Sequence, residues 1–356
     1  MGGLLTSTFL NLVVVPVLYL RPVPITSSWD ERMTYFDALR RLETAMMHSL
    51  RFTVATALVL ALAGCYTHSG VQQADLSFEP EMPYPAYSQG PGPVVQIDEA
   101  HFNFHTLEGR YAPFAKLLRR DGYVVQGLAE SATADALGQG DIYVIANAIA
   151  ESDQKGWKLP AEQAFTEIEI EAIRLWVEEG GSLLLIADHM PFPGSVAELA
   201  AVFDILFGNG FLYDTEDNSK LEFTREAGLA DHPITAGRDE SERIDSVRTF
   251  TGQAFRVERK FEPLLTLPPG STLKLPIEAW EFKKTTPSVP AAGMLQGAVL
   301  RFGEGRVAVF GEAAMFSAQE RVTKDERVLM GMNRPDAAQN PQFLLNVMHW
   351  LSGMLD

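Results

Sequence analysis

The chain has 356 residues, a formal net charge of −17 and one cysteine, Cys65. Such an acidic balance excludes nucleic-acid binding through basic patches, and a single cysteine excludes an internal disulfide. Stability must then come from a packed core, and the length allows one large domain with extensions.

The chain opens with an apolar run, Leu4 to Leu20, and a second one, Phe52 to Ala63, follows. The second is preceded by His48 and Arg51 and ends in Leu62-Ala63-Gly64-Cys65. A basic start, a short apolar stretch and a small-residue stop make an export signal. At about a dozen residues it is too short to cross a bilayer comfortably, which takes ~20. The ending resembles the lipobox of bacterial lipoproteins, and that resemblance implies lipidation of Cys65. Tyr66 follows instead of aspartate, so an outer-membrane, periplasm-facing location is expected. Residues 1–22 resemble the C-terminal helix of a heavy-metal efflux permease of the resistance-nodulation-division type. Residues 1–45 are therefore read as a permease-like tail or a spurious extension, and 46–65 as the signal. Taking the whole chain for a permease would rest on residues 1–22 alone. Residues 66–92, rich in Pro and Gly, suit a tether.

From residue 93 the pattern is globular. Val94 to Ile97 reads as a strand ending in Asp98, and 111–122 as a helix with Phe114, Leu117 and Leu118 on one face and Gly122 as the stop. Strands follow at 123–128 and 141–148, then a helix at 166–181 with a stripe of Ile168, Ala172, Leu175 and Trp176, then a strand at 182–188. A further helix is predicted over 196–208. Alternating strands and helices give a parallel sheet covered on both faces. Residues of about 214–295 read as a β-rich, mostly antiparallel insertion. A hairpin turns at Gly303-Glu304-Gly305, and 340–355 closes the chain as a helix with Asn340 as N-cap and Pro341 first in the helix.

The segments "DEAHFNFHT", "WVEEGGSLLLIADH", "GRVAVFGEAAMFS" and "NPQFLLNVMHWL" together resemble the domain-of-unknown-function 4350 type. That group lies in the class I glutamine amidotransferase-like superfamily, near GldG-like and ThuA-like proteins. The resemblance spans about 93–356. It implies an α/β, flavodoxin-like parallel sheet flanked by helices, with a smaller antiparallel appendage. The superfamily's catalytic cysteine would fall at Asp188 or His189, so cysteine-dependent amidotransferase chemistry is not expected.

Polar residues at the carboxyl ends of parallel strands are where open α/β sheets bind ligands. Asp98, Glu99, His101, Asn103 and His105 follow the first strand, Asn147 the third, Asp188 and His189 the fourth, and Glu312 a late strand. Three readings stay open. His101, His105 and Asp188 supply the ligand types of a divalent metal site, although "HFNFH" lacks the glutamate of a zinc-protease helix. Asp188 and Glu312 would serve as paired carboxylates in a hydrolase. Asp98, Glu99, Asn103, Asn147 and His189 would otherwise bind a ligand or satisfy backbone groups. Trp176 and Trp350 read as core, and Trp280 as either core or a ligand platform. No cofactor fingerprint is present beyond the metal reading. The function expected is ligand binding or scaffolding at the cell envelope, attached to the membrane by lipid and placed beside a transport system, with a metal-dependent or carboxylate-based hydrolase as the alternative.

Overall fold

The structure is a computed structural model that describes residues 70–214, 220–323 and 325–356. The permease-like tail, the export signal and Cys65 lie outside the described residues. Among the described residues no helix is long and apolar enough to cross a membrane.

The centre is a nine-stranded sheet. Its strands are β2 (Val94–Asp98), β3 (Val124–Leu128), β4 (Ile142–Ala146), β5 (Ser182–Ile186), β6 (Ile205–Phe207), β10 (Phe255–Val257), β11 (Glu262–Thr266), β14 (Leu295–Phe302) and β15 (Gly305–Phe310). The order is β3-β2-β4-β5-β15-β14-β10-β6, with β11 also paired to β14. The first five of these strands run parallel and the rest are antiparallel. The fold is thus mixed α/β with a mostly parallel centre.

Both faces of this centre are covered, which is why β4 and β5 read as unbroken apolar runs. Val144 and Leu184 enter one core with helices α1 (Ala112–Arg120) and α7 (Asn340–Leu351), whereas Tyr143 and Leu185 enter the other with α3 (Glu167–Glu178). A short helix, α2 (Ala134–Leu137), lies between β3 and β4. In α1, Phe114, Leu117 and Leu118 are buried as the spacing predicts, and Gly122 ends the turn at φ 97°.

Four expectations are corrected. The stripe of α3 is Ile170, Ile173 and Val177, while Ile168 is 82% exposed. The helix carries two apolar faces, and a capping box between Thr166 and Glu169 turns Glu169 inward, which sets the rotation. The helix predicted over 196–208 is only α5 (Ala197–Ala201), preceded by the short α4 (Phe192–Ser195). Asp204, at φ 60°, breaks it, and 205–207 become β6 on the edge of the sheet. The insertion is no separate appendage, because β10 and β11 extend the main sheet. Only β7 (Phe211–Tyr213) with β12 (Thr272–Lys274) and β13 (Ser288–Pro290), and β8 (Glu222–Thr224) with β9 (Ser246–Arg248), form small sheets of their own. The short α6 (Pro233–Ala236) separates those last two strands. Finally, Gln339 is the N-cap of α7, because Asn340 spends its side chain on Arg248 N–H, Arg248 O and Met315 O.

The tether expectation also gives way beyond residue 71. Gln72–Ala74 is a strand, β1, paired with β16 (Ala318–Val322), which pairs with β17 (Arg327–Gly331). Phe78, Met82 and Tyr87 pack against the core, so this Pro-rich stretch wraps the domain instead of hanging free.

Candidate ligand cavity at the strand tips

Parallel pairing puts the carboxyl ends of β2, β4, β5 and β15 on one edge, and a cavity of about 250 Å³ opens there. Among the residues that the sequence singles out, His105, Asn147, Asp188, His189 and Glu312 line it. Asp98, Glu99, His101 and Asn103 do not.

Three of the excluded four have other partners. Asp98, fully buried, holds His101 Nδ1 at 2.9 Å, and Glu169 Oε1 lies 3.1 Å from His101 Nε2. The His101 ring stacks on Phe165 at 3.8 Å. Burial works against the imidazolium, but Asp98 and then Glu169 raise the His101 pKa above its usual value. Glu169 moves the other way: burial would raise it, yet the Thr166 hydrogen bonds and the His101 charge bring it down to about 2. Glu99 accepts the Leu107 N–H at 2.8 Å and covers Gly127. Asn103 is buried with both amide atoms unpartnered among the described residues.

The metal set is therefore not assembled. His101 has both ring nitrogens turned to carboxylates, away from His105 and Asp188 at the cavity. Among the described residues no group of three or more His, Cys, Asp or Glu is placed to hold a metal ion.

Inside the cavity, Asn147 is the organising residue. It sits at the end of β4 in the left-handed region, φ 56°, uncommon outside glycine and asparagine. Its Oδ1 accepts the Asp188 N–H at 2.8 Å, and its Nδ2 reaches His105 Nδ1 at 3.3 Å. Asp188 Oδ1 accepts the His189 N–H at 2.7 Å, and Oδ2 the Ala313 N–H at 3.4 Å. Glu312 is buried, and its two oxygens accept the Ala314 and Met315 N–H groups at 2.8 Å each. Burial, followed by the Asp188 charge, pushes Glu312 well above the usual carboxylate range. Tyr111 O–H donates to Ala313 O at 3.1 Å and is held protonated by burial and then by the same two carboxylates.

His189 lies in an aromatic surround. Its Nδ1 donates to Met190 O at 2.7 Å, the ring stacks on Phe211 at 4.5 Å, and Trp280 meets it edge-on at 4.7 Å. Two loops carry tryptophans to the rim. Trp157 O accepts the Ala279 N–H, Ile277 O accepts the Leu159 N–H, and Lys158 pairs with Glu278 at 2.9 Å. Trp280 is 54% exposed and holds φ 68°, a strained value for so bulky a residue. Of the two roles open to Trp280, the structure gives it the rim; Trp350 is core.

Sequence reasoning missed Arg110, Trp157, Gln72 and Gln319, all of which line the cavity. Arg110 had a signal: it is a cation five residues past His105 in a strongly acidic chain. The others arrive through long-range pairing of loops and of β1, which leaves no local trace.

The chain is similar in fold to the mmIFT52 N-terminal domain. The TM-score is 0.50 at 14% identity, over 73% of this chain and 97% of that one. ThuA-like proteins of Bacteroides uniformis and Parabacteroides merdae align at TM-scores of 0.43 and 0.40, with 12% and 11% identity. These cover 75% and 73% of this chain and 95% and 90% of theirs. Identities so low speak to fold alone. No protein-family model matches the chain, and no curated protein matches it.

Proposed function

We propose that the chain is a small-molecule-binding module of the bacterial cell envelope, attached to the membrane through a lipid on Cys65. The observation that carries the binding reading is the strand-tip cavity, walled by aromatic rings and floored by oriented polar groups. Its amide, carboxylate and imidazole groups are fixed by backbone bonds, as a preformed site requires. The envelope reading is supported by the signal-like run that ends at Cys65. The cysteine-less amidotransferase-like, flavodoxin-like reading is supported by the strand order: the five parallel strands stand second-first-third-fourth-fifth in chain order. A transport system is a fitting neighbour for such a module.

One observation favours hydrolysis as a second reading. Glu312, held above the usual carboxylate range, lies near enough to Asp188 to feel its charge. That is how an acid and a base are set apart. Against it, both Glu312 oxygens are spent on backbone amides.

The test has two arms on the full chain expressed in a Gram-negative host. Intact-mass analysis should find a lipidated Cys65 as the first residue, and an unmodified chain beginning at Met1 would defeat the anchor. A thermal-shift screen of small polar metabolites should find stabilisers whose effect disappears in Asn147→Ala. Turnover abolished by Asp188→Asn in a folded protein would favour the hydrolase instead.

A further inference from the structure

Arg110 is a half-buried cation whose partners are all neutral. Its Nε donates to Gln319 Oε1 at 3.1 Å, its Nη2 to Gln72 O at 3.2 Å, and its guanidinium lies 3.8 Å over the Phe104 ring. Nη1 makes no hydrogen bond among the described residues. Burial lowers the Arg110 pKa, and no carboxylate offsets it. A chain of −17 has acids to spare, yet it leaves this cation without one. Charges taken out of water are ordinarily paired, because losing hydration is costly without a counter-charge.

His105 beside it is 3% exposed, and its Nε2 has no partner among the described residues. Its tautomer follows from the neighbours. Asn147 Oδ1 takes the Asp188 N–H, so the Asn147 NH₂ group must face His105. That NH₂ donates to Nδ1, so in the neutral ring the proton resides on Nε2. The ring is neutral: burial, then Arg110 and His189, push it down to about 3. The cavity thus has a cation with no anionic partner and a buried N–H donor with no partner among the described residues. Asp188 and Glu312 line the same cavity, and their oxygens accept from backbone amides.

We propose that Arg110 and His105 form an oxyanion-receiving end of the cavity, and that its ligand is a small acid with a ring-bearing body. The acid group, carboxylate or phosphate, pairs with Arg110 Nη1 and accepts from His105 Nε2–H. The body lies among Trp157, Phe192 and Trp280, which line the same space. A volume of about 250 Å³ limits it to a compact molecule. The inference rests on the binding reading above and adds the charge of the ligand.

The experiment is calorimetric titration of the full chain with two matched pairs, benzoate against benzamide and glucose 6-phosphate against glucose, each to about 10 mM so that millimolar affinities register. Within at least one pair the acid should bind tenfold or more tighter than its neutral partner. The pair that shows the preference tells carboxylate from phosphate. Arg110→Gln should erase the preference, with the fold checked by circular dichroism. Arg110→Lys, which keeps the charge and the stem, should retain part of it if the glutamine variant fails to fold. Neutral partners that bind as well as the acids would overturn the proposal and leave the binding module standing. No binding from either pair would also overturn it, and the metabolite screen would then decide on the module separately.

Discussion

His101 Nε2 lies 3.1 Å from Glu169 Oε1 while its Nδ1 lies 2.9 Å from Asp98 Oδ1, so one ring joins the tip of β2 to the first turn of α3. All three side chains are buried, and this link fixes the loop that carries His105 into the cavity.

The link is pH-dependent in a defined window. His101 has a raised folded pKa, so its share of stability is complete below its usual 6.5 and is lost as pH climbs through the folded value. Glu169 has a lowered one, so its share is complete above 4.5 and is lost as pH falls toward about 2. The two shares coexist between about pH 4.5 and 6.5. His101→Gln should cost roughly 3 kcal/mol at pH 5.5 and clearly less at pH 8.5. Urea unfolding at both values measures this, and equal losses would refute the charged link.

Asn147 combines a left-handed backbone with a side-chain acceptor, and two substitutions separate these roles. Asn147→Gly keeps the backbone conformation but leaves the buried Asp188 N–H unsatisfied, at about 1–3 kcal/mol. Asn147→Ala adds the left-handed strain, so it should be less stable than the glycine variant by a further ~1 kcal/mol. Chemical denaturation of the pair would show equal stabilities if the backbone carried no strain.

Gly305 starts β15 where a Cβ would lie 2.0 Å from Val177 O and 2.3 Å from Gly181 O. Both obstacles are backbone, so neither can swing aside. Gly305→Ala should lower stability by roughly 3 kcal/mol, at the upper end for overpacking. A loss under half a kcal/mol would mean that α3 and β5 shift readily against the hairpin.

Trp280 is half-exposed, so its removal bears more on the cavity than on the core. Trp280→Ala should weaken any cavity ligand about tenfold, in line with the loss of one aromatic wall. Its unfolding midpoint should move little, because the ring is half-exposed; alanine keeps a Cβ and so keeps the φ 68° strain. Calorimetry and thermal unfolding of the same sample check both statements. A large drop in stability with unchanged affinity would assign Trp280 to the fold.

What could be read in the sequence follows the range of the forces involved. β4 and β5 declare themselves because burial on both faces demands apolar residues, a local signature, at all positions but Ser182, whose hydroxyl donates to Leu351 O. The convergence of Asn147, Asp188, His189 and Glu312 follows from parallel topology alone. The rotation of α3 could not be read from hydrophobicity, since Ile168 and Leu175 compete with Ile170 and Ile173. The Thr166–Glu169 capping box and the distant His101 decide between the faces. Asp98 and His101 share their strand tip with His105, yet a partner 68 positions away draws them into a separate cluster. Trp157 and Trp280 reach one rim because two loops more than a hundred residues apart in sequence run alongside each other at Lys158 and Glu278.

With a lipid on Cys65, as proposed, β1 would limit where the molecule can work. Seven residue steps separate Cys65 from Gln72, a reach of at most ~25 Å when fully stretched. Gln72 is itself part of the cavity wall and donates to Gln319, another wall residue on the paired strand, at 2.8 Å. With a lipid on Cys65, as proposed, the leash would end on the binding site and not on the far side of the domain. The cavity would then sample the thin layer of solution next to the bilayer, and a longer leash inserted before Val71 would change which solutes it meets without altering a single contact inside it.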